Sequence, residues 1–318
     1  MKKISYIIPC YCSANTLPNV VNEIVQVMNT LESYTYEIIL VNDDSPDDTM
    51  TTIVDLTKQY PWIIGINLAR NFGQHAALMA GFRAVTGDYV VCLDDDGQTP
   101  ADEVYKLIRK IEDGYDAVYA RYQHKRHTLF RNFGSYVNEL MARALLGKPK
   151  ELYISSYFAV KRFIVDHIVQ YENSYPYVIG LVLRTTKKVT NVDVEHRDRM
   201  SGTSGYTIHK LLSLWFNGFT AFSIKPLRIA TVSGGIFAIM GFTYGFYTIV
   251  KKFINPLVPL GFSSTMAAIL FIGGVLMLML GLIGEYIGRI YMSLNRAPQY
   301  VVREIIQNGN ERTDERRD

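Results

Sequence analysis

Three adjacent carboxylates, Asp94-Asp95-Asp96, close an apolar run and lead into Gly97-Gln98-Thr99-Pro100. Crowded like charges repel one another unless a cation or strong donors compensate them. Hard oxygen ligands at one place suit Mg²⁺ or Mn²⁺, which keeps waters and takes substrate phosphates as well. Extended backbone alternates its side chains, so Asp94 and Asp96 share one side and Asp95 takes the other. A solvated acidic turn is the alternative meaning of such a triplet. A second cluster, Asn42-Asp43-Asp44-Ser45-Pro46-Asp47-Asp48-Thr49, follows another apolar run. There Asp47 or Asp48 suits a helix cap, which leaves Asp43 as the functional carboxylate. No Gly-x-Gly-x-x-Gly follows the first strand and no Walker motif is present, which argues against a Rossmann dinucleotide site and a P-loop enzyme. Cys10 and Cys12 stand too close for a zinc site, and Cys92 supplies no second pair. Free thiols in a reducing compartment are the simplest reading of all three.

The elements that must position these residues alternate. Ile4–Pro9, Glu37–Asn42, Ile63–Leu68 and Tyr89–Leu93 are short and rich in Ile and Val, as buried strands are. Between them Leu17–Leu31, Asp48–Gln59 and His75–Val85 carry helical apolar spacing, and Thr99-Pro100 before Asp102 and Glu103 opens a further helix. The alternation predicts an α/β fold with a mostly parallel, Rossmann-like sheet. Ligands of such sheets bind beyond the carboxyl ends of the strands, where both acidic clusters fall. After Tyr122 the alternation stops, and basic residues with interspersed aromatics run on to Arg143; Lys187–Glu195 reads as one more strand.

The last third is different. No charged residue occurs from Ile229 to Val250 or from Phe253 to Gly284, and each run can cross a hydrocarbon core of about 30 Å. The expected organisation is a catalytic domain over 1–205, amphipathic interface helices over 206–227, two transmembrane helices within 228–292 (229–250 and 265–288), and a tail over 293–318. A core helix is the alternative for the bulky stretch Ile208–Ile224; its continuity with a membrane span favours the interface. Arg289, Arg296 and Arg303 beside the second span put the large domain and the tail in the cytoplasm. Asn308–Asp318, charged and polar, reads as disordered. The net charge of +3 says little by itself, and no nucleic-acid partner is expected. Two spans bury little surface alone, so a homo-oligomer is plausible.

Ile7-Ile8-Pro9-Cys10-Tyr11 resembles the opening strand of GT-A glycosyltransferases of family 2, and Val41–Asp47 their V-[DN]-D-x-S-x-D segment. Leu93–Gln98 with Pro100 is similar to the D-x-D-L-Q-x-P motif of the polyprenyl-phosphate branch, and Arg70–Gly81 to that branch's R-N-[FY]-G-x-x-A-A-x-x-A-G block. Gly284–Tyr291 resembles the block closing the second span of bacterial bactoprenol-phosphate glycosyltransferases. The resemblance implies transfer of a sugar from a nucleotide donor, expected as a UDP-hexose, to undecaprenyl phosphate at the bacterial inner membrane, with the catalytic domain in the cytoplasm. It implies that Asp43 meets the nucleobase near Pro9 and Tyr11, with Arg70 and Asp95 completing the nucleotide-sugar site. Asp94 is then expected at ribose, diphosphate or metal, and Asp96 and Gln98 at Mg²⁺ or Mn²⁺. Arg121, Arg126 and Arg131, with Arg199 and Ser204 of an R-x-x-G-x-S-K-Y pattern ending at Tyr206, are expected at the acceptor phosphate, where guanidinium binds bidentately. A basic patch facing anionic lipid is the alternative for these arginines.

Departures matter too. Ser156 occupies the position of an Asp proposed as base, Gly97 that of a Leu, and Gly205 that of a Lys. A base is dispensable here: the second pKa of a phosphate monoester is about 6, so a lipid phosphate is mostly dianionic at neutral pH. Ser156 therefore stays among the catalytic candidates with Asp94, Asp96, Arg126 and Arg131. A processive polysaccharide synthase would carry Q-x-x-R-W, and neither Trp62 nor Trp215 follows an Arg. A silent membrane scaffold, suggested by Ser156 and Gly205, has no use for Asp94, Asp96 and Gln98 together.

Overall fold

The computed structural model describes residues 1–122, 148–195, 225–254, 261–295 and 298–311. Strand β1 (Lys2–Cys10) leads to helix α1 (Leu17–Thr30), β2 (Tyr34–Asn42), α2 (Thr49–Gln59), β3 (Ile63–Leu68), α3 (Gln74–Ala84) and β4 (Tyr89–Cys92). A short 3₁₀ turn, Ala101–Glu103, then opens α4 (Val104–Glu112), followed by β5 (Ala117–Tyr122). After residue 148 come β6 (Phe158–Lys161), α5 (Arg162–Ile168), α6 (Val178–Thr185) and β7 (Val189–Val194). Local sequence accounts for much of this. Pro18 sits in the first turn of α1, where a missing N–H costs nothing. Val104, Leu107, Ile108 and Ile111 give α4 one buried stripe at helical spacing.

Among the described residues the sheet has nine strands in the order β7-β5-β6-β4-β1-β2-β3-β8-β9, where β8 is Val302–Gln307 and β9 is Asn310–Glu311. The central pairs β4–β1, β1–β2 and β2–β3 are parallel. β6 runs antiparallel to both β4 and β5. Because side chains alternate along a strand, both faces are filled. Ile4, Tyr6 and Ile8 share one cluster with Val20, Ile24, Ile53, Leu107 and Ile111 from α1, α2 and α4. Ile7 and Val41 face α3, which approaches so closely that a Cβ on Gly81 would stand 2.5 Å from Ile7 Cγ2. Continuous Ile/Val runs in the central strands follow from this two-sided burial.

The C-terminal residues correct the sequence reading. The sequence reading makes residues 293–318 a tail, with 308–318 disordered, of which 312–318 lie outside the described residues. Instead β8 pairs antiparallel with the edge strand β3, and Asn310–Glu311 turns back on β8. The alternation Val302, Glu304, Ile306 against Arg303, Ile305, Gln307 lets this polar segment cover an edge that would otherwise present unpaired N–H and C=O groups. The chain accordingly divides into two compact units, Met1–Leu211 with Arg296–Asp318, and Leu212–Asn295.

The second unit contains α7 (Lys225–Ile254) and α8 (Phe262–Leu294). Gly234 of α7 lies against Met279 of α8. Large apolar side chains such as Phe242 and Met277 are more than 70% exposed, a surface that water tolerates poorly. Among the described residues one helix is long and apolar enough to cross a membrane, through Phe271–Gly288. The other expected span, 229–250, is helical, but Ser233, Thr243, Tyr244, Tyr247, Thr248 and its glycines dilute its apolarity. Of the expected interface segment 206–227, residues 206–224 lie outside the described residues and 225–227 open α7.

Candidate active site

Strand order steps from β1 to β2 to β3 on one side and to β4 on the other. That reversal opens a crevice at the carboxyl ends of β1 and β4, where α/β sheets bind ligands. Two non-glycine residues with left-handed backbone flank it, Cys12 (φ 55°) after β1 and Asp44 (φ 52°) after β2. Such conformations cluster where a loop is held for a purpose.

The acidic triplet follows β4 into this crevice, and each carboxylate has its own setting. Asp94 Oδ1 accepts from Gln74 Nε2 at 3.0 Å, and Oδ2 accepts from the Ser156 hydroxyl. Burial raises the Asp94 carboxyl to about 6, the charges of Asp96 and Asp95 add to this, and the two donors pull it back. Asp95 faces away, as alternation predicts: its Oδ2 takes the Tyr11 N–H at 2.9 Å, while its carbonyl takes the Thr16 hydroxyl at 2.6 Å. Asp95 is raised by burial, against the pull of the Tyr11 N–H. The triplet is thus fastened to the loop that follows β1. Asp96 Oδ1 accepts the Gln98 N–H at 3.0 Å across a turn in which Gly97 has φ +73°. A side chain there would be strained, which accounts for glycine where the resemblance expects leucine.

Asp43 is buried at the end of β2. Its Oδ1 accepts the Phe72 N–H at 2.7 Å and its Oδ2 the Gly73 N–H at 2.8 Å; Asn71 Nδ2 reaches its carbonyl at 3.1 Å. Burial raises this carboxyl, against the pull of those two amides. Gly73 adopts φ +90° as the N-cap of α3, a conformation that glycine meets without penalty. In this geometry Asp43 holds the β3–α3 loop, and that loop delivers Gln74 to Asp94. Arg70, on the same loop, is exposed with its guanidinium 4.7 Å from the Phe72 ring centroid. Tyr11 is 52% exposed at the crevice mouth, and Pro9 lies two residues before it in β1. Asp47 bonds into the start of α2, accepting the Thr49 N–H at 3.3 Å and its hydroxyl at 2.6 Å. Asp48 occupies the cap position without a side-chain cap bond.

The expected acceptor arginines divide. Arg121 is engaged with Asp193 through Nε–Oδ1 at 2.5 Å and Nη2–Oδ2 at 3.0 Å. Arg126, Arg131, Arg199 and Ser204 lie outside the described residues. Two site neighbours escaped the sequence reading. Gln74 stands in the R-N-F-G-Q block but nothing in its spacing points to Asp94. Tyr122 ends β5, and burial, with Asp94 and Asp96 nearby, pushes its phenol up.

Among the described residues no three His, Cys, Asp or Glu side chains converge as a self-sufficient metal cage. That suits a cation shared with substrate: Mg²⁺ takes one or two carboxylates and completes its shell with phosphate oxygens and water. Burial raises Asp94 first and the charges of Asp96 and Asp95 add to it, a charge excess that such a cation would offset.

Residues 5–169 match the family described as Glycosyl transferase family 2. The chain belongs to glycosyltransferase family 2. Residues 225–290 match a second family, the GtrB C-terminal hairpin. Among family 2 relatives, an undecaprenyl-phosphate 4-deoxy-4-formamido-L-arabinose transferase of Yersinia pestis (strain Pestoides F) is 33% identical, covering 100% of this chain and 97% of the relative. The protein of the same name from Photorhabdus laumondii is 32% identical over 99% and 97%. Among solved structures, glucosyl-3-phosphoglycerate synthase from Mycobacterium tuberculosis, in complex with Mn²⁺ and uridine-diphosphate-glucose, superposes with a TM-score of 0.51 at 18% identity, covering 67% of this chain and 75% of that one. The likeness identifies the fold as GT-A-like.

Proposed function

We propose that this family 2 member is an inverting, divalent-cation-dependent transferase that moves a sugar from a nucleoside diphosphate to a polyprenyl phosphate at a membrane surface. The observation that carries the reading is the acidic turn Asp94–Gln98, fastened to the loop after β1 and set at the switch point of the sheet. Relatives matched over nearly their whole length and named for undecaprenyl phosphate support the acceptor, and the span-length apolar helix α8, with the exposed apolar side chains of α7 and α8, supports a membrane setting. Two transmembrane spans, a cytoplasmic catalytic domain at the bacterial inner membrane and self-association belong to the same proposal.

On this reading the nucleobase lies against Tyr11, with Asp43 fixing the loop around it and Arg70 at its rim. Asp94, Asp96 and Gln98 would hold Mg²⁺ or Mn²⁺, which supplies Lewis-acid stabilisation of the departing diphosphate. A phosphate oxygen of the lipid attacks the anomeric carbon from the side opposite the leaving group. The new C–O bond forms as the bond to the nucleoside diphosphate breaks, and the electron pair departs with that diphosphate. The dianionic nucleophile has no proton to lose, so Ser156 need not act as a base. Its hydroxyl instead holds Asp94 in place and favours the ionised form. Alignment of the two substrates contributes up to ~7–11 kcal/mol in well-oriented systems, and Arg126, Arg131, Arg199 and Ser204 are the proposed clamps on the acceptor phosphate.

The sugar is a UDP-linked hexose in the sequence expectation, whereas the relatives are named for a formamido-pentose. The test is transfer to undecaprenyl phosphate in detergent from labelled UDP-glucose, UDP-N-acetylglucosamine and UDP-4-deoxy-4-formamido-L-arabinose, with Mn²⁺ or chelator. Chelator-sensitive label in lipid, absent with Asp96→Ala, is expected from one donor, with inverted anomeric configuration. A retained configuration, or label unaffected by Asp96→Ala, overturns the proposal.

A further inference from the structure

We infer that β8, the strand that follows the apolar helix α8, is a working part of the donor site, with Arg303 and Glu304 as positioning residues for the two loops that receive the nucleotide. The inference rests on the reading of the crevice as a nucleotide-sugar site and adds residues that no motif of that reading contains.

Two hydrogen-bonded routes lead from β8 into the crevice. The first is buried and polar. Glu304 Oε1 accepts from Asn67 Nδ2 at 2.7 Å, and Asn67 Oδ1 accepts from Asn42 Nδ2 at 2.8 Å. Asn42 Oδ1 then accepts the Ser45 N–H at 3.2 Å, and Ser45 Oγ accepts the Cys12 N–H at 3.2 Å. Asn42 and Asn67 are 2% and 6% exposed, too buried for water to replace a lost partner readily. The row crosses the carboxyl ends of β3, β2 and β1 and ends beside Tyr11, whose N–H binds Asp95.

The second route starts from a bulge. Asn67 pairs with Glu304 and Leu68 with Val302, so Arg303 is the extra residue between them. A bulge re-aims the side chain it carries. Here Arg303 Nη2 donates to the Ala69 carbonyl at 3.0 Å and stands 4.0 Å from Asp44 Oδ1. The Ala69 N–H in turn donates to the Val301 carbonyl at 2.8 Å. The β3–α3 loop is therefore gripped at its start by β8 and at its end by Asp43, and it hands Gln74 to Asp94. Just upstream, Gln299 is buried and donates to the Tyr171 and Asn173 carbonyls at 2.5 and 2.9 Å, which anchors the approach to β8. The sequence reading assigned Arg303 to membrane-side charge; its placement on the bulge gives it this different work.

The experiment measures UDP binding with Mn²⁺ to the full-length protein in detergent, together with separate KM values for donor and lipid acceptor. Glu304→Leu and Arg303→Met are each expected to weaken UDP about tenfold, the worth of one hydrogen bond involving a charged group. Donor KM rises in step, while kcat at saturating donor and the acceptor KM stay unchanged. Glu304→Gln keeps an acceptor oxygen for Asn67 and restores binding. Variants that melt at a lower temperature yet, when folded, bind UDP and use donor as wild type does would show a purely structural strand and overturn the inference. Wild-type protein that binds no nucleoside diphosphate would remove the functional reading itself, and this inference with it.

Discussion

Replacing Ser156 by alanine isolates the donor that stands where the resemblance leads one to expect an acid. The wild-type hydroxyl donates to Asp94 Oδ2, and Gln74 donates to the other oxygen. Removing one donor leaves burial and the neighbouring charges of Asp96 and Asp95 to act on a carboxyl already raised to about 6. A hydrogen bond to a charged group contributes about 1.5–3 kcal/mol, the low end of which suits a half-open site. Since one pKa unit is 1.36 kcal/mol, the variant's Asp94 should titrate near about 7. At pH 7 the ionised fraction then falls from about 90% to about 50%, and at pH 6 from about 50% to about 10%. The assay is UDP–Mn²⁺ binding by calorimetry, for both proteins, from about pH 5.5 to 8.5, a range that brackets both values. Comparing the two cancels the titration of the nucleotide itself. Affinities should converge at the alkaline end, and the acid limb of the variant should lie about one unit higher. Coincident acid limbs would refute the claim that Ser156 keeps Asp94 ionised.

Asp94→Asn should abolish transfer while stabilising the cation-free protein. The folded carboxyl releases its proton at about 6 and the unfolded one near the ordinary value, so the folded state binds more protons between them. Ionised Asp94 thus lowers stability above about pH 6, on the order of 2 kcal/mol after allowing for partial exposure, and melting curves at neutral pH would reveal the gain. Glu37 has the opposite sign: it is buried, yet Lys3 Nζ at 2.6 Å, Ser5 and Thr86 hold it below the usual carboxylate range. Its contribution is full above that range and is lost as pH falls through the depressed value, and Glu37→Leu should cost about 3 kcal/mol in urea unfolding. A Cβ at Gly87 would stand 2.7 Å from the Lys3 carbonyl and 2.9 Å from the Ser5 nitrogen. Gly87→Ala should therefore destabilise by about 1–3 kcal/mol, with transfer per folded molecule unchanged.

The strands that carry the site were legible because each is a local statement. Ile38-Ile39-Leu40-Val41 and Ile63-Ile64 are buried on both faces, so their apolarity has no gaps to misread, and the observed β3 has the expected ends. The acidic clusters follow strands, so their place at the carboxyl edge also followed from order along the chain. β5 and β6 were not separable in advance. Phe158–Lys161 has only four residues, and its antiparallel direction depends on which neighbours it finds. β8 was hidden more deeply. Val-Arg-Glu-Ile-Ile-Gln has two charges in six positions, and it becomes a strand because β3, far away in sequence, offers an open edge.

Sequence by itself determined the central strands and their helices, the place of the acidic clusters, the family and the apolar helix through Phe271–Gly288, since each depends on residue types at short spacing. Only the tertiary structure decided which groups meet. Ser156 reaches Asp94 across 62 positions, Tyr11 reaches Asp95 across 84, and Asn67 reaches Glu304 across 237. Such pairings are set by strand order, register and a single bulge. These follow from the packing of the whole sheet rather than from any local pattern.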